Sequence, residues 1–272
     1  MNFDFGLRGH DIADNFSDMC RLARENDIRK LQFAMAKTIS DINFDEFGFV
    51  EEFAKKVDAG LKEDNLDVSV LGCYINPVDT DSKAKETQLL RFKNFLRYAK
   101  IFNAGGVGTE TGSVGDIQKT HSNENYMQFL RDFEPVIELA EELDVNVYIE
   151  PVWHFTINSV EKMKRMLDDV KSKNLKVILD VSNITVAEDY TAPSETIEKA
   201  FDILGDNIRV IHYKDFIIED GKKSFAIAGT GNLDAKLMFK KISECSVAPE
   251  VILDETPLEH YRQSVENLKK IL

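Results

Sequence analysis

Short apolar runs alternate with longer amphipathic stretches along almost the whole chain. The apolar runs are rich in β-branched residues and bounded by turn or helix-capping residues, which indicates buried strands. These runs are 3–7, 30–34, 68–74, 106–109, 145–150, 176–180, 209–212 and 251–254. The stretches between and after them have the apolar periodicity of helices. These predicted helices are 14–26, 45–64, 83–102, 123–143, 159–172, 194–204, 234–243 and 258–272.

A strict alternation of strands and helices predicts an all-parallel sheet with helices outside it. We predict that the sheet closes into a (β/α)8 TIM barrel, an α/β fold, with residues 1–272 forming a single domain. The length of 272 residues is close to the roughly 250 typical of such barrels. A doubly wound open sheet is the alternative. However, the first strand-to-helix turn, residues 8–11, reads RGHD and lacks the glycine pattern of a dinucleotide-binding turn.

The connection after the seventh strand is unusually long. Residues 216–219 and 224–228 flank Asp220-Gly221, which predicts a hairpin on the active-site face of the barrel. The Gly229-Thr230-Gly231 turn that follows offers backbone N–H groups to an anion, although it is too short to indicate a phosphate site.

Charge and cysteine content narrow the function classes. The chain has 34 basic and 48 acidic residues, a net charge of −14, which argues against a nucleic-acid partner. No apolar run approaches the roughly 20 residues of a membrane span, and residues 1–5 lack the basic-then-apolar pattern of a signal peptide. Three separated cysteines (Cys20, Cys73 and Cys245) suit free thiols and predict a cytoplasmic location. The composition leaves a homo-oligomer open.

Polar residues end the last four apolar runs. They are Glu150, Asp180, His212 and the adjacent pair Asp254-Glu255. Each one alone is more often a helix cap or a solvated rim residue than a ligand. In a parallel barrel, however, all four strands end at the same rim.

Charge repulsion between these residues favours a shared site over four separate helix caps or rim residues. Two like charges about 4 Å apart repel by roughly 4 kcal/mol at an effective dielectric constant of 20. Three converging carboxylates therefore need a cation or protonation to relieve the repulsion. Three oxygen ligands and one imidazole suit a divalent ion, so we predict a metal site.

Five segments at the strand ends resemble one known superfamily. Residues 149–151, 179–183, 211–215, 229–232 and 253–257 read IEP, LDVSN, IHYKD, GTGN and LDETP. Together they resemble the xylose-isomerase-like barrels. That superfamily includes ketose 3-epimerases, hydroxypyruvate isomerase, inosose dehydratase and apurinic endonucleases.

The resemblance implies one divalent metal, held by Glu150, Asp180, His212 and Glu255. Glu255 is preferred to Asp254 because Glu-Thr-Pro matches the last strand ending of the family; Asp254 stays the alternative. Manganese is the first expectation for the metal, with magnesium, cobalt or zinc as alternatives.

The resemblance also implies an isomerase or epimerase that converts a small sugar or sugar phosphate through an enediolate. We assign Glu150 and Glu255 as the acid/base pair, and Asp180 and His212 as structural ligands. The predicted substrate-binding residues are His154, Lys214, Asn183 and Glu110.

Three other functions are weighed. A dehydratase of a keto-polyol shares the scaffold and the enolate step. A non-catalytic metal- or sugar-binding barrel is disfavoured because all four ligand positions are filled. An apurinic endonuclease is disfavoured because Asn183 replaces an expected histidine, Lys223 and Phe225 replace further ligands, and the chain has only five histidines.

Overall fold

The fold is a closed eight-stranded parallel barrel surrounded by helices, which confirms the predicted TIM barrel. It is seen in a computed structural model that describes residues 3–185 and 193–272. The strands are β1 (Phe5–Arg8), β2 (Lys30–Phe33), β3 (Asp67–Gly72), β4 (Val107–Thr109), β5 (Val147–Ile149), β6 (Leu175–Leu179), β7 (Ile208–Tyr213), β8 (Phe216–Glu219), β9 (Lys222–Phe225) and β10 (Glu250–Leu253). Around the barrel the order is β1-β10-β7-β6-β5-β4-β3-β2, and β8 pairs with β9 outside it.

The helices follow the strands and cover the outside of the barrel. They are α1 (Gly9–Ile12), α2 (Phe16–Glu25), α3 (Met35–Thr38), α4 (Phe44–Phe47), α5 (Glu51–Glu63), α6 (Ser82–Phe102), α7 (Ile117–His121), α8 (Asn123–Leu143), α9 (Val160–Val170), α10 (Val181–Ile184), α11 (Pro193–Leu204), α12 (Ala235–Glu244) and α13 (Leu258–Ile271). None of the helices in the described ranges is long and apolar enough to cross a membrane.

Most predicted elements are present, with ends displaced by one or two residues. One predicted helix, 45–64, is wrong as a continuous element. It divides into α4 and α5 at Gly48, which has φ +68°, a conformation that interrupts a helix and that glycine adopts without steric cost. The predicted hairpin is β8–β9, and its turn residues Asp220 and Gly221 have φ +51° and +71°, as a type I′ turn requires.

The apolar interior has two parts. A large cluster fills the space between the strands and the helices. A separate small cluster lies inside the barrel and consists of Val70, Tyr148, Ile178, Val210 and Ile252. Glycines make room for these side chains: a Cβ on Gly6 would lie 2.4 Å from Ile252 Cδ1, and one on Gly108 would lie 2.6 Å from Val70 Cγ1.

Candidate metal centre and substrate cleft

The interior cluster determines which residues reach the mouth of the barrel. Side chains alternate between the two faces of a strand. The residue two positions beyond an interior residue therefore also faces the barrel axis, one layer nearer the C-terminal mouth. On β5, β6, β7 and β10 the residues in these positions are Glu150, Asp180, His212 and Asp254.

Three of the four predicted metal ligands are brought together. Candidate ligand atoms of Glu150, Asp180 and His212 all lie within 4.8 Å of one another, and these residues are 3%, 0% and 2% exposed. His212 Nδ1 is 3.1 Å from Glu150 Oε2. Asp180 Oδ2 lies 3.0 Å from Lys214 Nζ, and His212 Nε2 is buried without a hydrogen-bond partner among the described residues.

This arrangement fits a metal ion. Buried polar atoms are normally satisfied, so the unpartnered His212 Nε2 beside two carboxylates calls for a ligand. Two carboxylates and an imidazole form a donor set for divalent ions such as magnesium, manganese or zinc. Glu150, Asp180 and His212 are thus the residues able to hold the predicted ion.

The adjacent acids of the last strand have different environments. Asp254 is 5% exposed and lies 2.7 Å from both Arg8 Nη1 and Lys214 Nζ. Glu255 is 42% exposed, has φ +49°, and contacts Arg8 at 3.2 Å. The structure therefore does not bring the preferred fourth ligand, Glu255, to the buried cluster, and it places the alternative, Asp254, on the inward-facing side.

Lys214 supplies a positive charge within the acidic cluster. Its Nζ is 3.0 Å from Asp180 Oδ2, 2.7 Å from Asp254 Oδ2 and 3.1 Å from Asn183 Oδ1. Burial opposes the charge, but Asp180 and Asp254 outweigh it and raise the pKa of Lys214. Burial likewise acts to raise the pKa of Asp254, whereas His212, Lys214 and Arg8 together lower it.

Asn183 and Glu150 are fixed by short local contacts. The Asn183 amide donates to Glu150 Oε1 at 2.6 Å, and Asp180 Oδ1 accepts from the Asn183 backbone N–H at the start of α10. Asn183, a predicted substrate-binding residue, lines the cleft, and its amide also orients Glu150. Burial raises the pKa of Asp180 to about 6 against the opposing charge of Lys214.

The other predicted substrate residues line the cleft. Burial, followed by repulsion from Glu150, raises the pKa of Glu110 to about 7, so this carboxyl is about half protonated near neutral pH. His154 lies against Phe155, with ring centroids 4.2 Å apart, and burial lowers its pKa. Its Nδ1 is buried without a partner.

The backbone of the glycine-rich turn after β9 binds the side-chain carboxylate of Asp215. Asp215 accepts backbone N–H bonds from Gly229, Gly231 and Leu233 at 2.9, 2.9 and 3.1 Å. A Cβ on Gly231 would lie 2.2 Å from Asp215 Oδ1. The turn thus anchors the end of β7 instead of offering its N–H groups to a ligand.

A cleft of about 500 Å³ opens above the cluster. Its walls include residues from both sides of the barrel. The sequence analysis missed three polar residues of these walls: Gln32, Lys37 and Tyr74. Gln32 carries a recognisable signal, because it is a polar residue between the apolar residues Leu31 and Phe33 of β2.

Comparison with known proteins assigns the family. Residues 20–271 match the family described as xylose isomerase-like TIM barrel. The chain belongs to this family. No curated protein matches the sequence significantly.

Solved structures of this family share the fold at low sequence identity. A D-tagatose 3-epimerase-like protein is 17% identical, with a TM-score of 0.79 and coverage of 99% of this chain and 97% of that chain. A xylose isomerase-like TIM barrel protein from Mycobacterium smegmatis, in complex with magnesium, is 11% identical, with a TM-score of 0.78 and coverage of 99% and 96%. The probable 3-DHS dehydratase AsbF from Bacillus anthracis is 14% identical, with a TM-score of 0.75 and coverage of 98% and 99%. At these identities the likeness shows the fold alone.

Proposed function

We propose that this protein is a divalent-metal-dependent isomerase or epimerase of a small sugar or sugar phosphate. The observation that carries the proposal is the buried group of Glu150, Asp180 and His212, whose candidate ligand atoms lie within 4.8 Å of one another. The similar structures of a D-tagatose 3-epimerase-like protein and of a magnesium complex support the substrate class and the metal.

Three residues hold the metal in this proposal, and Asp254 is the fourth candidate ligand. When bound, a divalent ion supplies Lewis acidity to the carbonyl and hydroxyl oxygens of an α-hydroxy ketone or aldehyde. Manganese, magnesium, cobalt and zinc all suit the mixed donor set.

In this proposal two carboxyl groups move protons. Glu150, fixed by Asn183, removes the proton beside the substrate carbonyl and leaves an enediolate. Glu110 lines the same cleft with a pKa of about 7, so it can return a proton to the same or the neighbouring carbon near neutral pH. Glu255, the predicted second acid, also lines the cleft, beside Arg8, and is the alternative for this role.

The test combines metal analysis with isotope exchange. We expect about one divalent ion per chain in wild-type protein and a loss of binding in Asp180→Asn. We expect deuterium wash-in from D2O into the true ketose or aldose, reduced about 100- to 10,000-fold in Glu150→Gln. Exchange of Glu52→Gln, a variant on the outer helix α5, should equal that of wild type.

The outcome also separates the dehydratase alternative. Loss of water from a keto-polyol, without deuterium exchange into the sugar alone, would assign the protein to the lyases. A dehydratase is one of the similar structures. Failure of the purified protein to bind any divalent ion would overturn the proposal.

A further inference from the structure

The wall of the cleft opposite the metal cluster carries a second group of polar residues. In the barrel order, β1 lies across the axis from β5, and β2 across from β6. Four residues on or after β1, β2 and β3 line the same cleft as Glu150 and His212: His10, Gln32, Lys37 and Tyr74. We call these four residues the distal wall.

Lys37 is a cation in the cleft that has no acidic partner among the described residues. Three carboxylates lie against Arg8, namely Asp11, Asp254 and Glu255, and two lie against Lys214. Lys37, by contrast, makes no salt bridge with any residue in 3–185 or 193–272. Its Nζ contacts His10 Nε2 at 3.2 Å and lies 5.6 Å from the Tyr74 ring centroid.

His10 adds a hydrogen-bond donor to this wall. Burial, Lys37 and Arg8 lower the pKa of His10 to about 4, so the ring is neutral at pH 7. Because Nε2 accepts from the Lys37 ammonium, the ring proton is on Nδ1. This Nδ1 is buried and has no hydrogen-bond partner.

Gln32 and Tyr74 complete the wall. Gln32 is 1% exposed, and its side-chain amide contacts the Tyr74 hydroxyl. The amide oxygen of Gln32 has no partner. The Gln32 side-chain oxygen beside the Tyr74 hydroxyl can bind a substrate hydroxyl, which both donates and accepts hydrogen bonds.

We propose that Lys37, held in place by His10, forms an anion subsite that binds a carboxylate or phosphate at the end of the substrate remote from the metal. Gln32 then contacts the neighbouring hydroxyl. The proposal rests on the proposed function and narrows its substrate class to sugars that carry an anionic end group. A cleft of about 500 Å³ is within the range of small-molecule sites.

The chemistry of the wall supports this reading. The acids nearest His10 are already paired with Arg8, so they repel an incoming anion less than free carboxylates would. An anion would pair with the Lys37 ammonium, which His10 Nε2 holds at 3.2 Å. A charge-assisted hydrogen bond of this kind is roughly twice as strong as a neutral one.

Direct binding to metal-free protein tests the subsite without turnover. Inorganic phosphate and acetate are titrated separately at pH 7.5 by calorimetry and by NMR of the His10 ring, whose signal is assigned from His10→Gln. We expect phosphate, acetate or both to bind and to shift the His10 signal. Lys37→Met should weaken that binding about tenfold to a hundredfold, Lys37→Arg should retain most of it, and Lys56→Met, on the outer helix α5, should equal wild type.

The probes distinguish the sources of the anion. Binding of phosphate alone indicates a sugar phosphate, binding of acetate alone indicates a sugar acid, and binding of both supports the shared subsite. Absence of binding, or binding that Lys37→Met leaves unchanged, overturns the subsite. Neither result affects the metal and exchange tests, and failure of those tests leaves this binding measurement intact.

Discussion

Two adjacent acids at the end of β10 show that neighbouring positions on a strand can differ strongly in burial and in side-chain contacts. Asp254 continues the inward-facing positions begun by Ile252, and it is buried between Arg8 and Lys214. Glu255 lies one residue beyond, with a positive φ, and its side chain is near the solvent. Because side chains alternate along a strand, only one of the two can face the metal cluster.

The fourth metal ligand can be identified by a paired substitution. We expect Asp254→Asn to weaken binding of a divalent ion at least tenfold, since a neutral amide at this buried position attracts the ion less. Glu255→Gln should change the affinity less than threefold, because its exposed carboxylate is screened by water. Calorimetric titration with manganese measures the affinity of both variants. A larger loss of affinity in Glu255→Gln would identify Glu255 as the fourth ligand.

Glu110 should make stability depend on pH. Its pKa in the folded protein is about 7, above the ordinary 4.5, so the folded state binds an extra proton between these values. Its contribution is therefore fully present below about pH 4.5 and is lost as pH rises through about 7. Glu110→Gln should remove this pH-dependent contribution to the free energy of unfolding, which is at most roughly 3 kcal/mol.

Urea unfolding of metal-free protein between pH 4.5 and 7.5 measures the effect. Glu52→Gln, a substitution of an exposed residue on α5, is the control and should keep the wild-type slope. An identical slope in Glu110→Gln and wild type would show that this carboxyl does not hold the proton.

At the scale of the element, the end of β7 performs two tasks. His212 and Lys214 face inward, whereas Asp215 is held by the backbone of the turn that follows β9. That internal anchor fixes where the strand ends and hence where the imidazole and the ammonium lie. The hairpin β8–β9 extends from the same anchor and brings Phe225 within 5.6 Å of Lys214 Nζ.

Lys214 should act as an internal counter-ion in metal-free protein. Lys214→Met leaves Asp180 and Asp254 with less compensation, so we expect the free energy of unfolding to fall by about 3–5 kcal/mol. A divalent ion should restore more stability to this variant than to wild type. The control is Lys241→Met, which breaks an ion pair with the exposed Asp202 and should cost about 1 kcal/mol or less.

Thermal unfolding without manganese measures the stability lost in Lys214→Met, and unfolding with manganese measures the stability that the ion restores. Equal stabilisation of Lys214→Met and wild type by manganese would show that the ammonium and the ion do not share the same carboxylates.

Across the whole molecule, acidic residues outnumber basic ones, and the net charge is −14. The cleft holds three cations, Arg8, Lys37 and Lys214, beside four acids, Glu110, Glu150, Asp254 and Glu255. Arg8 and Lys214 lie against acids, whereas Lys37 makes no salt bridge with the described residues. Lys37 is therefore the cation that the proposed anion subsite uses.

Metal binding should stabilise the whole barrel, because the cluster of Glu150, Asp180 and His212 joins three neighbouring strands, β5, β6 and β7. A ligand at 100 times its dissociation constant adds about 2.7 kcal/mol, which for a domain of this size raises the melting temperature by roughly 5–10 °C. We expect manganese to produce this rise in chelator-treated wild-type protein and not in Asp180→Asn. An equal rise in both would place the binding elsewhere.

The sequence by itself determined the barrel, because the alternation of apolar runs and amphipathic stretches depends only on the local periodicity of strands and helices. It also determined the group of Glu150, Asp180 and His212, since parallel strands bring their C-terminal ends to one rim. Only the tertiary structure separated the buried Asp254 from the more exposed Glu255, made the glycine-rich turn an anchor for Asp215, and brought Lys37 and His10 opposite the cluster of Glu150, Asp180 and His212. These features depend on side-chain direction and on closure of the barrel, which join residues far apart in the chain.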